Sequence, residues 1–186
     1  MQKYLILFLV CLFACSSEED TTPRPWGYAR IDLPQKVDYT AFSNTTCPFS
    51  MEYPAMGEIS RNQADSCWVD IAFPKYGCKW HISHKDIISI QDKMAHFEAF
   101  RKLVYKHSKK ASNITELPFK NAQGEGVKFE IYGNVGSPIE VFFSNPKHTM
   151  TLDIYFNTAM RNDSLEPVIA FMKKEIEHSI TTLTWK

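Results

Sequence analysis

The stretch Cys67–Lys110, CWVDIAFPKYGCKWHISHKDIISIQDKMAHFEAFRKLVYKHSKK, decides the fold because its hydrophobic period changes partway along. Apolar and polar residues alternate through Cys67–Pro74 and again through Lys79–His84, which is typical of half-buried strands. From about Ser89 onward the apolar residues recur every three or four positions and predict an amphipathic helix. Ser89 is placed to cap this helix, and Asp92 in the first turn suits its dipole.

Further strands are predicted on both sides of this stretch. Phe49–Tyr53 alternates in the same way ahead of it. Three more strands are predicted after the helix, at Val127–Tyr132, Ile139–Ser144 and Thr149–Phe156. A turn-rich connection is predicted at Gly57–Ser66 and a loop at Asn113–Glu125. An edge strand bounded by prolines is predicted at Trp26–Pro34.

A second amphipathic helix is predicted near the C-terminus. Asp163 suits its N-cap, Glu166 follows three residues later, and Pro167 fits a first turn. Its expected buried stripe is Leu165, Ile169, Met172, Ile176 and Ile180. The β-branched end, Ile180–Lys186, predicts a final short strand or a docked tail.

This order of elements predicts an α+β fold. Short links between successive strands favour antiparallel pairing, and both helices need a sheet face on which to bury their stripes. We therefore expect a mainly antiparallel β-sheet covered by two amphipathic helices. The arrangement looks like the αβα sandwich of PsbP-like extrinsic proteins.

The first 25 residues predict export and attachment to a membrane. Tyr4–Ala14 is too short to span a bilayer but has the length of a signal-peptide core. Leu12-Phe13-Ala14-Cys15 resembles a bacterial lipobox, in which the thiol of Cys15 carries a lipid and the new N-terminus is acylated. The domain organisation we expect is a signal peptide (1–14), a lipidated flexible tether (15–25) and a single α+β domain (26–186). The alternative is ordinary secretion with Cys15 as a plain thiol.

Composition and cysteine count narrow the functional classes. Because 44% of its residues are hydrophobic, the chain can form a core. Its formal net charge is zero, so it lacks the excess of basic residues with which proteins attract nucleic acid. After the leader and Cys15, the thiols Cys47, Cys67 and Cys78 remain, and they suggest one disulfide and one free thiol. None forms a Cys-x-x-Cys motif, so a structural zinc site is not supported.

Several segments together resemble one family. They are Arg24–Pro34, Cys47–Phe49, Cys67–Pro74, Arg101–His107, Leu152–Asn157 with Asp163–Ile169, and Thr184–Lys186. In this order and spacing the set resembles the gliding-motility lipoprotein GldD of the Bacteroidota. The resemblance implies a lipid-anchored cell-envelope protein that is required for gliding. We expect the anchor in the outer membrane rather than the inner, and both the periplasmic and the surface side stay open. The resemblance also implies association with the type IX secretion machinery that exports adhesins, through protein–protein contacts.

The resemblance also bears on the cysteines and on catalysis. It favours a disulfide between Cys47 and Cys67 with Cys78 free, although a simple hairpin would place Cys47 nearer Cys78. The family has no established catalytic activity, so it supplies no catalytic or cofactor-binding residues.

Motif searches agree with a protein that is not an enzyme and holds no cofactor or metal. Nucleophile-elbow, phosphate-loop and zinc-protease motifs are absent from the sequence. His81 and His84 are three residues apart on a strand, which sends them to opposite faces and defeats joint metal coordination. Nothing in the sequence brings the strand acids Glu130 and Asp153 together. Two alternatives stay open: a cell-wall-directed enzyme or ligand-binding lipoprotein, and an envelope assembly factor or chaperone.

Overall fold

The computed structural model describes residues 31–61, 67–157 and 162–186. The predicted signal peptide, Cys15 and the predicted tether lie outside these ranges, as does the first part of the predicted edge strand. Its described part, Ile31–Pro34, is not a strand, and that part of the prediction is wrong. Among the described residues, no helix has both the length and the apolar character needed to cross a membrane.

Two antiparallel sheets form the framework. The larger has seven strands in the order β3-β4-β5-β9-β8-β7-β6, and the smaller has the order β1-β2-β10. The strands are β1 (Tyr39–Ser43), β2 (Phe49–Pro54), β3 (Glu58–Arg61), β4 (Trp68–Phe73), β5 (Cys78–Asp86), β6 (Ala111–Asn121), β7 (Gly124–Gly133), β8 (Ile139–Ser144), β9 (His148–Phe156) and β10 (Thr184–Trp185). The predicted α+β class and the C-terminal strand are confirmed.

Both predicted helices are present. Helix α1 spans Ile90–Val104 and continues into a 3₁₀ turn at Tyr105–Lys109. The Ser89 side chain caps it as predicted, because its hydroxyl accepts the Asp92 backbone N–H at 3.1 Å. Helix α2 spans Asn162–Thr182, so it begins one residue before the predicted cap Asp163 and contains Pro167.

The prediction missed the strands at the margins of the sheets. β6 occupies most of the segment predicted as a loop, and β3 lies within the predicted turn-rich connection. Both are edge strands. β6 is only partly buried along its length, so its sequence lacks the apolar alternation that marks a strand with one face in a core. Its hairpin turn to β7 is held by Asn121, whose side-chain oxygen accepts the N–H groups of Gln123 and Gly124.

One face of the large sheet, here called the core face, carries the main hydrophobic core. Trp80, Leu152 and Phe143 lie on this face and are fully buried. Helix α2 contributes Met172 and Ile176 to the same core. The small sheet covers the rest, with Phe49 of β2 fully buried.

The opposite face of the large sheet, here called the open face, is covered differently. Helix α1 packs there with Phe100 and Val104 against Phe129 and Phe142 of β7 and β8. The part of the open face formed by β4, β5 and β9 carries mainly polar side chains, and Trp68 is exposed there. The fold therefore has one face that is buried over most of its area and one that is half covered.

The cysteines connect the small sheet to the large one. Cys47, just before β2, and Cys67, just before β4, are joined by a disulfide with Cα atoms 5.2 Å apart. This is the pairing that the family resemblance favours. Cys78 is free and buried, and burial raises the pKa of its thiol to about 12. A thiol held neutral in this way is a poor nucleophile and a poor metal ligand.

Candidate functional site

The apolar stripe of α1 extends beyond the surface that it covers. Phe100 and Val104 at the C-terminal end of the helix are buried, as the periodicity predicts. Ile90 and Met94 belong to the same predicted stripe, yet 58% and 61% of their surfaces are exposed. The helix therefore presents apolar side chains to solvent at its N-terminal end.

Met94 borders a groove beside β6, here called the apolar groove. Met94 and Phe97 of α1 form one wall, Pro118 and Lys120 of β6 form the other, and Phe142 lies at its base with Val127. Its volume is about 520 Å³ and its lining is mostly apolar. Lys93 and Glu125 stand at its margin as an ion pair with 2.5 Å between Nζ and Oε1. An apolar floor with a charged margin is the usual anatomy of a protein-binding surface.

A second feature lies on the open face, where four ionisable side chains are neighbours on adjacent strands. Asp70 of β4 pairs with His81 of β5, His81 pairs with Asp153 of β9, and Asp153 pairs with Glu140 of β8. We call these four residues the polar row. Directly opposed side chains on neighbouring strands lie within contact range, so the pairing register alone places these groups together.

At one end of the polar row, Asp70 orients His81. The Nδ1 atom of His81 lies 2.5 Å from Oδ1 of Asp70, and Lys79 donates to the other oxygen at 3.2 Å. Burial acts to raise the pKa of the Asp70 carboxyl, but these two partners outweigh it and hold the pKa below its ordinary value. Asp70 therefore stays ionised and fixes the imidazole ring.

At the other end, two carboxyl groups share a poorly solvated site. Burial raises the pKa of Glu140, and His107 from the 3₁₀ turn offsets this in part at 2.9 Å. Burial, and then the neighbouring charge of Glu140, raise the pKa of Asp153 to about 8. The Oδ1 atom of Asp153 is buried and has no hydrogen-bond partner among the described residues. Asp153 is thus a protonated acid at neutral pH.

Three members of the polar row, His81, Asp153 and Glu140, form one side of a cleft of about 500 Å³ beneath α1. Ser83, Thr151 and Tyr155 of the sheet line it, together with His96 of α1. Chemically, the cleft offers a neutral acid, an oriented imidazole and hydroxyl groups to a polar ligand. Ser83 does not belong to a nucleophilic triad, because its hydroxyl is paired with Thr151 at 2.7 Å rather than with a histidine.

Sequence reasoning identified some of these residues but not their grouping. His81 and His84 do lie on opposite faces of β5, as their spacing predicts. Glu130 and Asp153 also lie on opposite faces, and Glu130 bonds with Lys173 and Lys128 instead. The actual partner of Asp153 is Glu140, thirteen positions earlier in the chain. The signal was present in principle, since aligning predicted β8 with predicted β9 as a hairpin brings the two acids opposite each other.

The architecture places the chain in the class of PsbP-like α+β domains. It is similar to the solution structure of cyanobacterial PsbP (CyanoP) from Synechocystis sp. PCC 6803, with a TM-score of 0.51 and 12% identity over 81% of this chain and 94% of that one. This likeness concerns the fold alone. A crystal structure from Bacteroides thetaiotaomicron VPI-5482 matches with a TM-score of 0.41 and 14% identity, over 78% of this chain and 48% of that one.

Sequence comparison then identifies the family. Residues 18–185 match the family described as gliding motility lipoprotein GldD, so the chain belongs to this family. Among curated proteins, none shows significant sequence similarity to the chain. The family is one of lipoproteins, and membership places the chain in the cell envelope, attached to a membrane by lipid.

Proposed function

We propose that the chain is anchored through lipid on Cys15 and supports gliding by binding a protein of the associated type IX secretion and adhesin-export machinery. The observation that carries the binding mode is the apolar groove, together with the exposed Ile90 and Met94 beside it. Family membership supports the link to gliding. The proposal includes two further points: the partner is a protein of this machinery, and the membrane that holds the anchor is the outer one.

The groove is suited to a protein partner for physical reasons. Methionine and aromatic residues are enriched at protein interfaces. Exposed apolar patches on protein surfaces often mark interaction sites. Its walls are fixed by packing, since Phe97 and Phe100 both contact Phe142 through tilted or edge-on ring contacts. A rigid surface of this kind loses little conformational entropy when a partner binds.

The lipid would strengthen the same interaction. A short tether confines the domain to a layer near the membrane and raises its effective concentration beside partners in that layer. Weak contacts at the groove would then suffice for a functional complex. Membrane anchoring and partner binding are therefore separate properties, and substitutions at different residues should remove each of them.

Anchoring is tested at Cys15. We expect Cys15→Ala to abolish incorporation of labelled palmitate and to release the protein from the membrane fraction. Cys11→Ala is the matched control, because this cysteine lies in the predicted signal peptide and should leave both properties unchanged. Unaltered membrane partition of Cys15→Ala would contradict the lipid anchor.

Binding is tested with a photo-crosslinking amino acid at position 94 in living cells. We expect it to capture a component of the gliding or secretion apparatus, identified by mass spectrometry. The same amino acid at Ile59, an exposed apolar residue on β3 at the opposite edge of the sheet, is the control and should not capture that component. Equal capture at both positions would contradict a specific groove. Capture of many unrelated unfolded proteins at position 94 would favour the assembly-factor alternative.

The polar cleft supports a second candidate, binding or processing of a cell-wall-derived ligand. The carrying observation is the convergence of Glu140, Asp153 and His81 on one cleft. Soluble peptidoglycan fragments should then bind the purified lipoprotein, and Asp153→Asn should weaken binding while Glu98→Gln on the exposed side of α1 should not. Absence of binding to the unmodified protein would eliminate this candidate and leave the groove proposal intact.

A further inference from the structure

The structure assigns a third feature, a set of metal ligands, to the end of β5 and the start of β9. We propose that His84, Asp86 and His148 form a binding site for a divalent transition-metal ion such as Zn²⁺. The site is distinct from the polar row, because His84 lies on the core face and His81 on the open face. It also does not involve the apolar groove, so its existence is independent of the proposed function.

The strand geometry explains why these three residues meet. His84 and Asp86 are two residues apart on β5, which places their side chains on the same face. His148 is paired directly with Asp86 in the antiparallel register of β5 and β9. The sequence separation of 64 residues between the two histidines hides the group from any search for local motifs.

The distances between the ligand atoms fit metal coordination. Nε2 of His84 lies 3.2 Å from Nδ1 of His148, which lies 2.8 Å from Oδ1 of Asp86. The third edge, from Nε2 of His84 to Oδ1 of Asp86, is 3.4 Å. Bonds of about 2.0–2.1 Å to zinc imply ligand-to-ligand separations of about 3.3 Å in a tetrahedron. The triangle therefore already has close to the size that an ion requires, with no rearrangement of the strands.

The surroundings hold the two imidazole rings in place. The His84 and His148 side chains are only 6% and 15% exposed. His148 stacks on Trp185 of β10 with ring centroids 5.1 Å apart, and its backbone N–H donates to Asn145 at 2.7 Å. Preorganised ligands of this kind reduce the entropy lost on binding. Because Trp185 belongs to the small sheet, a bound ion would also reinforce the contact between the two sheets.

The third ligand leaves the site open. Asp86 is at the surface with 75% of its side chain exposed, so solvent reaches the coordination sphere from that side. Three protein ligands with a free position differ from closed structural zinc sites, which use four. A water molecule or a side chain of a bound partner can occupy the remaining position.

The ligand types select among metals. Two imidazoles with one carboxylate suit Zn²⁺, Cu²⁺, Ni²⁺ or Fe²⁺, whereas Ca²⁺ and Mg²⁺ require mostly oxygen ligands. A hydrogen-bonded network without metal is the competing explanation of the same triangle. In that network, however, the Nδ1 atom of His148 must carry a proton to donate to Asp86 and then cannot also accept a hydrogen bond from His84, while one ion would satisfy all three atoms at once.

The test uses the full-length lipoprotein, purified in detergent and freed of metal with a chelator. Zn²⁺ is titrated against a chromophoric competitor, and Co²⁺ is added in a parallel experiment for its visible absorption. We expect one Zn²⁺ per chain and a Co²⁺ spectrum of low coordination number. Since second-shell changes alone cost 10–100-fold in affinity, loss of a ligand should weaken binding by on the order of 100-fold or more.

The variants make this test decisive. Asp86→Asn should weaken binding without affecting folding, because the side chain is exposed. His148→Ala should also weaken binding, and circular dichroism checks that this less exposed position still folds. His178→Ala is the matched control, since His178 lies 2.8 Å from the carboxylate of Glu52 but belongs to no group of three potential metal ligands among the described residues. Zn²⁺ affinity that is unchanged in both ligand variants, or no measurable affinity of the unmodified protein, would overturn the proposal.

Discussion

The two faces of the large sheet differ in how completely they are covered. The core face is buried over most of its area beneath α2 and the small sheet, and the side chains at its centre are apolar. The open face is covered by α1 over β7 and β8, while acids, histidines and hydroxyl groups occupy the rest. The comparison assigns stability mainly to the first face and binding mainly to the second.

The two faces also differ in the partners and the pKa of one buried carboxyl group on each. On the core-face side, Glu130 is surrounded by Lys173, Lys128 and Tyr132, and these partners outweigh burial and keep its pKa low. On the open face, Oδ1 of Asp153 has no hydrogen-bond partner within the part of the chain that the structure describes, and the pKa of this carboxyl is raised to about 8. Unpaired, perturbed carboxyls concentrate at functional sites more than in structural ion pairs. This is a second reason to look for binding on the open face.

The strongest test of the comparison is a substitution in the core face. Phe143 is fully buried and lies parallel to both Phe119 and Trp185. We expect Phe143→Ala to lower the free energy of unfolding by about 3–5 kcal/mol, because the cavity adds to the lost burial. Trp68→Ala on the open face should cost much less, since this ring is exposed. Denaturant unfolding of both variants gives the comparison, and equal losses would contradict it.

A slightly smaller effect is expected at the link between the sheets. Cys47 and Cys67 are 20 positions apart, and a disulfide closing such a loop contributes about 3 kcal/mol by restricting the unfolded chain. Cys67→Ser should lower the free energy of unfolding by about this amount under oxidising conditions. Addition of a reductant should then lower the stability of the unmodified protein but not that of the variant. A reductant effect of the same size in Cys67→Ser would rule out this origin.

The sequence allowed the centre of this fold to be predicted, but not its margins. Strands with one buried face, such as β4, β5 and β9, alternate clearly, and Ser89 marks the start of α1. The edge strands β3 and β6 contact solvent along much of their length, so their sequences resemble loops. Site residues follow the same logic. Asp153 and Glu140 meet through a local hairpin whose register the predicted strand ends already imply, whereas His84 and His148 meet through the pairing of β5 with β9, which composition and spacing do not encode.

The carboxyl pair predicts a pH dependence. The folded protein holds the Asp153 proton more tightly than the unfolded chain, so its contribution to stability is present at low pH and is lost as the pH rises toward about 8. Asp153→Asn should remove this loss. When the pH is raised from 5 to 8, the free energy of unfolding of the variant should therefore rise by at least about 1.4 kcal/mol relative to that of the unmodified protein. Thermal unfolding at both pH values measures it. His81, Glu140 and His107 are unchanged in the variant, so a parallel pH response would contradict the assignment to Asp153.

The smallest effect on stability is expected at the apolar groove. Met94 is mostly exposed, so Met94→Ser should change the free energy of unfolding by no more than about 0.5 kcal/mol. If this side chain contributes to binding, crosslinking from neighbouring position 90 should nevertheless fall. A large loss of stability would instead mean that Met94 belongs to the core beneath α1.

The central claim, that the groove beside α1 supports gliding, is tested most directly by colony spreading. Chromosomal Met94→Glu is compared with Ile59→Glu at the opposite edge of the sheet, after immunoblotting has shown equal amounts of both proteins in the membrane fraction. The account predicts that Met94→Glu abolishes spreading and that Ile59→Glu leaves it intact. Normal spreading of the Met94→Glu strain would contradict the account.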